Sequence, residues 1–235
     1  MIAERKTATQ TSAPSIETRR IGSEHAPLVV IDGFAPEPDA LRAAACAAPF
    51  VAAGEHYPGL RAPLPSEYLA TQLPIVAAAL GRSFGRFRRI SVVDASFSMV
   101  TTAPAALAPR QRVPHVDAYG RERVALIHYL SLDNMDGTAF FRHRATGFET
   151  IDAQRAAGFF AALDDELRDP ESSPTGYIAG DTALFDRTTA VDARYNRALL
   201  YRSHLLHSGA IAPDALLSPD PATGRLTITA FLALE

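Results

Sequence analysis

The chain is poor in the features that announce most simple identities. It carries one cysteine, Cys46, among 235 residues, which excludes an internal disulfide framework and a cysteine-rich metal site. No apolar run approaches the roughly 20 residues that a membrane-spanning helix needs. The stretch from Met1 to Arg20 lacks the apolar core of a secretory signal, so a cytoplasmic location is the expectation. The net charge is only −3, which argues against general attraction to nucleic acid or to an anionic membrane. No internal repeat and no dividing linker is visible. Residues 1–24 are rich in Thr, Ser, Ala, Arg and Glu without apolar periodicity, and they read as a mobile tail.

What is present is an ordinary apolar fraction, 47%, with mean hydropathy near zero. That supports one sizeable core and one domain, residues 25–235. Pro27 to Phe34 is a β-branched run closed by Asp-Gly, a strand. Glu37-Pro38-Asp39 opens a helix with Leu41, Ala44, Ala45 and Ala48 on one face, stopped by Pro49. Cys46 falls inside it and reads as a buried small residue. His56 to Arg61 reads as a connector that could border a pocket. Ser66 is placed to cap a second helix carrying Leu69, Leu73, Val76 and Leu80, ended by Gly81 and kinked or split by Pro74.

From residue 86 the period changes. Phe87–Thr101, Val124–Leu130, Thr138–Arg142, Ala183–Phe185, Arg197–Arg202, Leu205–Ile211 and Arg225–Ala233 read as strands. Asp133–Gly137 reads as a turn, and Asp152–Leu167 as one intervening helix. Helices first, then many short strands, predicts an α+β protein: helical support over 25–85 and a jelly-roll barrel, a double-stranded β-helix, over 86–235.

The chemistry centres on Pro114-His115-Val116-Asp117. Residues two apart on a strand share a face, roughly 6.6 Å apart along the backbone, so His115 and Asp117 can lean on one metal ion. A His-x-Asp pair alone is cheap in a chain with seven histidines. Its company raises it. A non-heme iron(II) site needs two His and one carboxylate on one face of the metal, with the opposite positions open. His207 lies after an apolar run near the C-terminal end and supplies the third donor. Arg225 opens the last strand and could pair bidentately with an anion, with Thr227 and Thr229 on its face.

Taken together, His115-Val-Asp117, Arg123-Val-Ala-Leu-Ile-His-Tyr129-Leu-Ser131, Asp136-Gly-Thr138-Ala-Phe-Phe141, Leu206-His207-Ser-Gly-Ala and Gly224-Arg225-Leu-Thr-Ile-Thr-Ala-Phe-Leu232 resemble the Fe(II)- and 2-oxoglutarate-dependent dioxygenases, in particular the branch similar to prolyl hydroxylases. The resemblance covers about residues 90–235. It implies iron ligation by His115, Asp117 and His207. It also implies that Arg225 pairs with the distal carboxylate of 2-oxoglutarate, with Tyr129 as hydrogen-bonding partner and Thr227 or Thr229 nearby. O₂ would be the second co-substrate, succinate a product, and the outcome hydroxylation of an unactivated C–H bond. Asp117 points that way, because related halogenases lack this carboxylate. The chain departs from the family in a longer spacing between His207 and Arg225, with Pro213–Gly224 reading as a loop, and in Tyr-Leu-Ser and Asp-Gly-Thr where the family has Tyr-Leu-Asn and Gly-Gly-x-Thr.

The rival histidines have plainer readings. His204 is an odd number of residues from His207 and faces the other way. His128 faces away from Tyr129 and is packed or at the surface. His143, between Arg142 and Arg144, reads as a solvated rim. His25 and His56 have no supporting context. A different class of function is a non-catalytic jelly-roll module with an inherited or structural metal pocket, though structural zinc takes four protein ligands; a cupin-like metal enzyme without 2-oxoglutarate is a third. The substrate stays open among a free amino acid, a peptide side chain and a small natural product. The segments 102–113 and 142–174 are expected to cover it. Helix faces near the N-terminus could support a homodimer.

Overall fold

The computed structural model describes residues 13–132, 136–212, 214–215 and 217–235. Three helices and eleven strands follow the chain in the order β1 (Ser15–Ile21), β2 (Ala26–Asp32), α1 (Pro38–Ala47), β3 (Val51–Ala52), β4 (Gly59–Ala62), α2 (Tyr68–Ser83), β5 (Ile90–Val100), β6 (Arg123–Tyr129), β7 (Gly137–His143), α3 (Ala153–Glu166), β8 (Phe185–Val191), β9 (Arg197–Arg202), β10 (His207–Ala210) and β11 (Leu226–Leu234). The strands form two antiparallel sheets. The larger runs β1-β2-β9-β6-β11-β5-β4-β3 and the smaller β10-β7-β8. Neither sheet closes on itself. The fold class is α+β, as the order of periodicities predicts.

Strand alternation explains the layers. In β9, Ala198 and Leu200 face one way and join α1 and α2 residues Ala45, Tyr68, Val76, Ala79 and Leu80 in the main core. Their neighbours Leu199 and Tyr201 face the other way, where they meet Phe140 of the smaller sheet. The outer face of that sheet, with Phe141 and Phe185, packs on Phe159 and Leu163 of α3. Each fully buried Leu or Phe here contributes roughly 1.5–3 kcal/mol of transfer free energy. The layers are therefore helices, large sheet, small sheet, helix.

Several local expectations change. The tail does not extend to residue 24, because Ser15–Ile21 pairs along its whole length with β2, from Ser15↔Asp32 to Ile21↔Ala26. Gly22, at φ 67, makes the turn, and the buried carboxylate of Glu149 anchors it by accepting from the Ser23 and Glu24 amides at 2.9 and 3.0 Å and from the Ser23 hydroxyl at 2.8 Å. Residues 1–12 lie outside the described residues. Cys46 is exposed, not buried, since it sits one position round the helix from the buried Ala45. Ser66 does not cap α2; its hydroxyl turns to Glu67 instead. Pro74 does not split α2, which runs unbroken through Gly81 to Ser83. The carbonyl it leaves without a donor belongs to Ala70, which is exposed, so water can satisfy it. Part of the supposed connector 56–61 is strand β4, paired with β5. Most of the turn expected over 133–137 lies outside the described residues.

Candidate metal centre

The site is assembled by an isolated bridge between the segment around His115 and the start of β10. His115 and His207 exchange backbone hydrogen bonds of 2.9 and 3.0 Å. Two residues on, the Asp117 amide donates to the Ser203 carbonyl at 2.8 Å. This pairing puts the side chains of His115, Asp117 and His207 on one side. One ligand atom from each lies within 4.8 Å of the others. His115 Nε2 is 3.7 Å from Asp117 Oδ1, and His207 Nε2 is 3.6 Å from Asp117 Oδ2. These gaps are too long for hydrogen bonds and suit three donors around an ion.

The tautomer of His207 is set by its surroundings. Its Nδ1 donates to the Leu205 carbonyl at 2.8 Å, so Nε2 keeps a lone pair aimed at the centre. Burial holds both imidazoles far below their usual range, each at about 4. For His115 the neighbouring His207 adds to burial and Asp117 opposes it. The ring of His115 nonetheless keeps 56% of its side-chain surface open; that surface belongs to a cavity wall, enclosed by protein on several sides. Burial pushes Asp117 up to about 6, against the pull of His115, Arg61 and Arg123. Its Oδ2 is buried and has no hydrogen-bond partner. A buried carboxylate with an orphaned oxygen beside two neutral imidazoles is a donor set that could hold a metal ion.

The cavity beside the triad has a volume of about 630 Å³, within the range of small-molecule sites. Arg225 lines it and is 6% exposed. Its Nη2 donates to the Gly137 carbonyl at 2.9 Å, and its buried Nε has no partner. Thr227 and Thr229 line the same floor. The Thr227 hydroxyl donates to the Ser98 carbonyl at 3.0 Å, while that of Thr229 meets the Ser98 hydroxyl at 2.8 Å. Tyr129 is fully buried behind the lining, its phenol 2.6 Å from the hydroxyl of Thr138, which does line the cavity. The segments expected to cover a substrate, 102–113 and 142–174, contribute Arg110, Gln111, Phe159, Phe160 and Leu163 to its walls.

The remaining histidines separate cleanly. His128 is fully buried on the helix side of the large sheet, bonded to Tyr68 and Asn196. His204 lies in a separate polar groove with Arg121, Arg155 and Arg202. His143 corrects the rim reading: it is fully buried, 2.7 Å from Glu166 and 2.9 Å from Thr146, with Phe159 and Phe185 against its ring. Strand alternation carries that signal, since His143 shares a face with the buried Phe141 while Arg142 points out. His25 belongs to the β1–β2 turn at φ 52, and His56 lies on the cavity wall.

Three cavity residues carry no role in the sequence reading, although 56–61 is read there as a connector that could border a pocket. Tyr201 packs against the His207 ring at 4.7 Å. Tyr57 has its hydroxyl pushed up by burial, against the opposing influence of Arg225, Arg61, Thr227 and Ser98. Arg61 lies over the Tyr57 ring at 5.0 Å. Tyr57 and Arg61 flank Pro58-Gly59, which looks like plain turn chemistry. No curated protein matches the chain. The model of a family described only as being of unknown function, DUF6445, matches residues 12–232, nearly the whole length, and the chain belongs to that family.

Proposed function

We propose that this protein is a non-heme Fe(II)- and 2-oxoglutarate-dependent dioxygenase that hydroxylates an unactivated C–H bond. The observation that carries the reading is the convergence of His115, Asp117 and His207 at the wall of a cavity that also holds the partly unpartnered Arg225. Among the described residues the cluster has three donors, whereas a structural zinc site takes four. The chain also crosses between the sheets, from β5 through the His115 bridge to β6, then to the paired β7 and β8, and on to β9, β10 and β11 in turn, an interleaving that supports a double-stranded β-helix.

Iron(II) bound there would activate O₂, whose four-electron reduction would draw two electrons from the oxidative decarboxylation of 2-oxoglutarate and two from the substrate C–H bond, giving succinate, carbon dioxide and the hydroxylated substrate. The residues of the chain do the rest. His115, Asp117 and His207 hold the ion from one side, and the Leu205 carbonyl locks the His207 ring. Arg225 takes the distal carboxylate of 2-oxoglutarate through its guanidinium group at the cavity lining. Thr227 contributes hydrogen bonding at the cavity floor, and Tyr129 acts through the Thr138 hydroxyl that it holds.

The test is spectroscopic and then chemical. Anaerobic Fe(II) with 2-oxoglutarate should give a weak visible charge-transfer band, and admitting air should yield succinate slowly. Asp117→Ala should remove the metal, and Arg225→Ala should weaken 2-oxoglutarate roughly tenfold or more, the scale of a lost charge-assisted pair. Unchanged iron and 2-oxoglutarate binding in both variants would sink the reading.

A further inference from the structure

The cavity contains a second arginine for which the co-substrate has no use. Arg61 pairs across β4 and β5 with Ser98, Ser98 pairs with Thr227, and Thr227 with Tyr129. Residues directly opposed on antiparallel strands share a face, so Arg61 belongs to the same cavity floor as Thr227. Its Nε is buried and has no hydrogen-bond partner. Its ion pair is a long one, Nη1 to Asp94 Oδ2 at 3.4 Å, with the Asp94 side chain 54% exposed, and such pairs hold weakly. The Tyr57 ring beneath the guanidinium fixes its plane.

Arg61 and Arg225 reach the cavity from different strands: Arg61 stands on β4 opposite Ser98, and Arg225 directly precedes β11, two places away in the sheet. The lining contains Arg61, Arg110, Arg112 and Arg225 against the acids Glu55 and Asp117. Arg110 is already engaged with Asp164, and Arg112 with the Leu107 carbonyl. Arg61 and Arg225 thus line the cavity with guanidinium groups that lack a strong partner, one for each of two anions. Across the cavity, Val116, Tyr119, Phe159, Phe160, Leu163 and Ile178 form an apolar wall.

We infer that Arg61 binds the carboxylate of an apolar small-molecule acid, whose body rests on the α3 wall, and that this acid is the molecule to be oxidised. The last clause rests on the oxygenase reading; the carboxylate site itself rests on the cavity alone.

The experiment is calorimetric and compares 3-phenylpropionate with its primary amide on the full chain, metal-free and loaded with redox-silent Mn(II) plus 2-oxoglutarate. The wild type should bind the acid at least roughly tenfold more tightly than the amide, the worth of a charge-assisted bond. Arg61→Gln should reduce the acid to the amide's affinity, and Arg61→Lys should restore part of the difference. The 2-oxoglutarate affinity of the Mn(II)-loaded Arg61→Gln protein should stay within roughly twofold of wild type, since a separate guanidinium holds that ligand. Equal binding of acid and amide, no binding of the acid at millimolar concentration, or a large loss of 2-oxoglutarate affinity in Arg61→Gln would each overturn the proposal. Acid selectivity that persists while Mn(II) and 2-oxoglutarate fail to bind would instead overturn the oxygenase reading and leave the carboxylate site standing.

Discussion

Asp117 is a costly side chain in the metal-free protein. Its Oδ2 is buried without a partner, and burying an ion that way is unfavourable unless charge arrives to match it. Asp117→Asn should therefore stabilise the metal-free chain by about 1–3 kcal/mol, on the scale of an unsatisfied buried polar group, while abolishing metal binding. Urea unfolding paired with a metal titration checks both halves. A destabilised Asn variant would mean that the carboxylate is satisfied in solution. His128 makes a different residue-scale statement. It is fully buried and its folded pKa lies at about 4, lowered by burial against the Asn196 bond that raises it. The unfolded imidazole titrates near 6.5. Between those values the unfolded chain binds more protons, so stability is complete above about pH 6.5 and falls as the pH drops toward 4. The loss is about 3 kcal/mol at most, and His128→Gln should flatten that part of the stability–pH curve.

At the scale of elements, the turn of the β1–β2 hairpin is latched to the segment before α3 by Glu149, while β2 itself pairs with β9. Glu149 receives three hydrogen bonds from Ser23 and Glu24, and its carboxylate occupies the space where a Gly22 side chain would stand. Glu149→Ala leaves two part-buried amides without their acceptor and should cost about 1–2 kcal/mol, with early loss of protection in 15–21 by amide hydrogen exchange. Early exchange confined to another strand would refute the latch. The segment 56–62 shows why an element can hide. Pro58-Gly59 reads as a turn, yet Gly59 is where β4 comes so close to β5 that a Cβ would meet the Met99 carbonyl at 1.9 Å. The same glycine that disguises the strand permits the approach that brings Tyr57 and Arg61 to the cavity.

For the molecule as a whole, the site lies where the two sheets face each other, and its ligands come from two segments far apart in sequence that are bridged at His115 and His207. A metal and an anion that bind only this arrangement stabilise the folded state by mass action. At a hundredfold excess over the dissociation constant the gain is about 2.7 kcal/mol, which for a chain of this size corresponds to a rise in Tm of about 5–10 °C. Thermal unfolding with and without Mn(II) and 2-oxoglutarate measures it, and chelation should reverse it. No helix among the described residues is long and apolar enough to cross a membrane.

The residues that chemistry demands were legible in the sequence by type and spacing. The two-residue step from His115 to Asp117, a histidine after an apolar run and an arginine opening the last strand needed no coordinates, because strand periodicity already places side chains on faces. The same periodicity, applied to Phe141 and His143, would have buried His143 rather than leaving it on a rim; the flanking arginines masked it. Only the tertiary structure decided which histidine meets the pair, because the bridge between His115 and His207 joins segments far apart in sequence. It alone brought Arg61 and Tyr57 to the same floor as Arg225, through a strand that lies two places from β11 in the sheet. Local pattern determines which way a side chain faces; what it faces depends on strand order and register, which long-range packing sets.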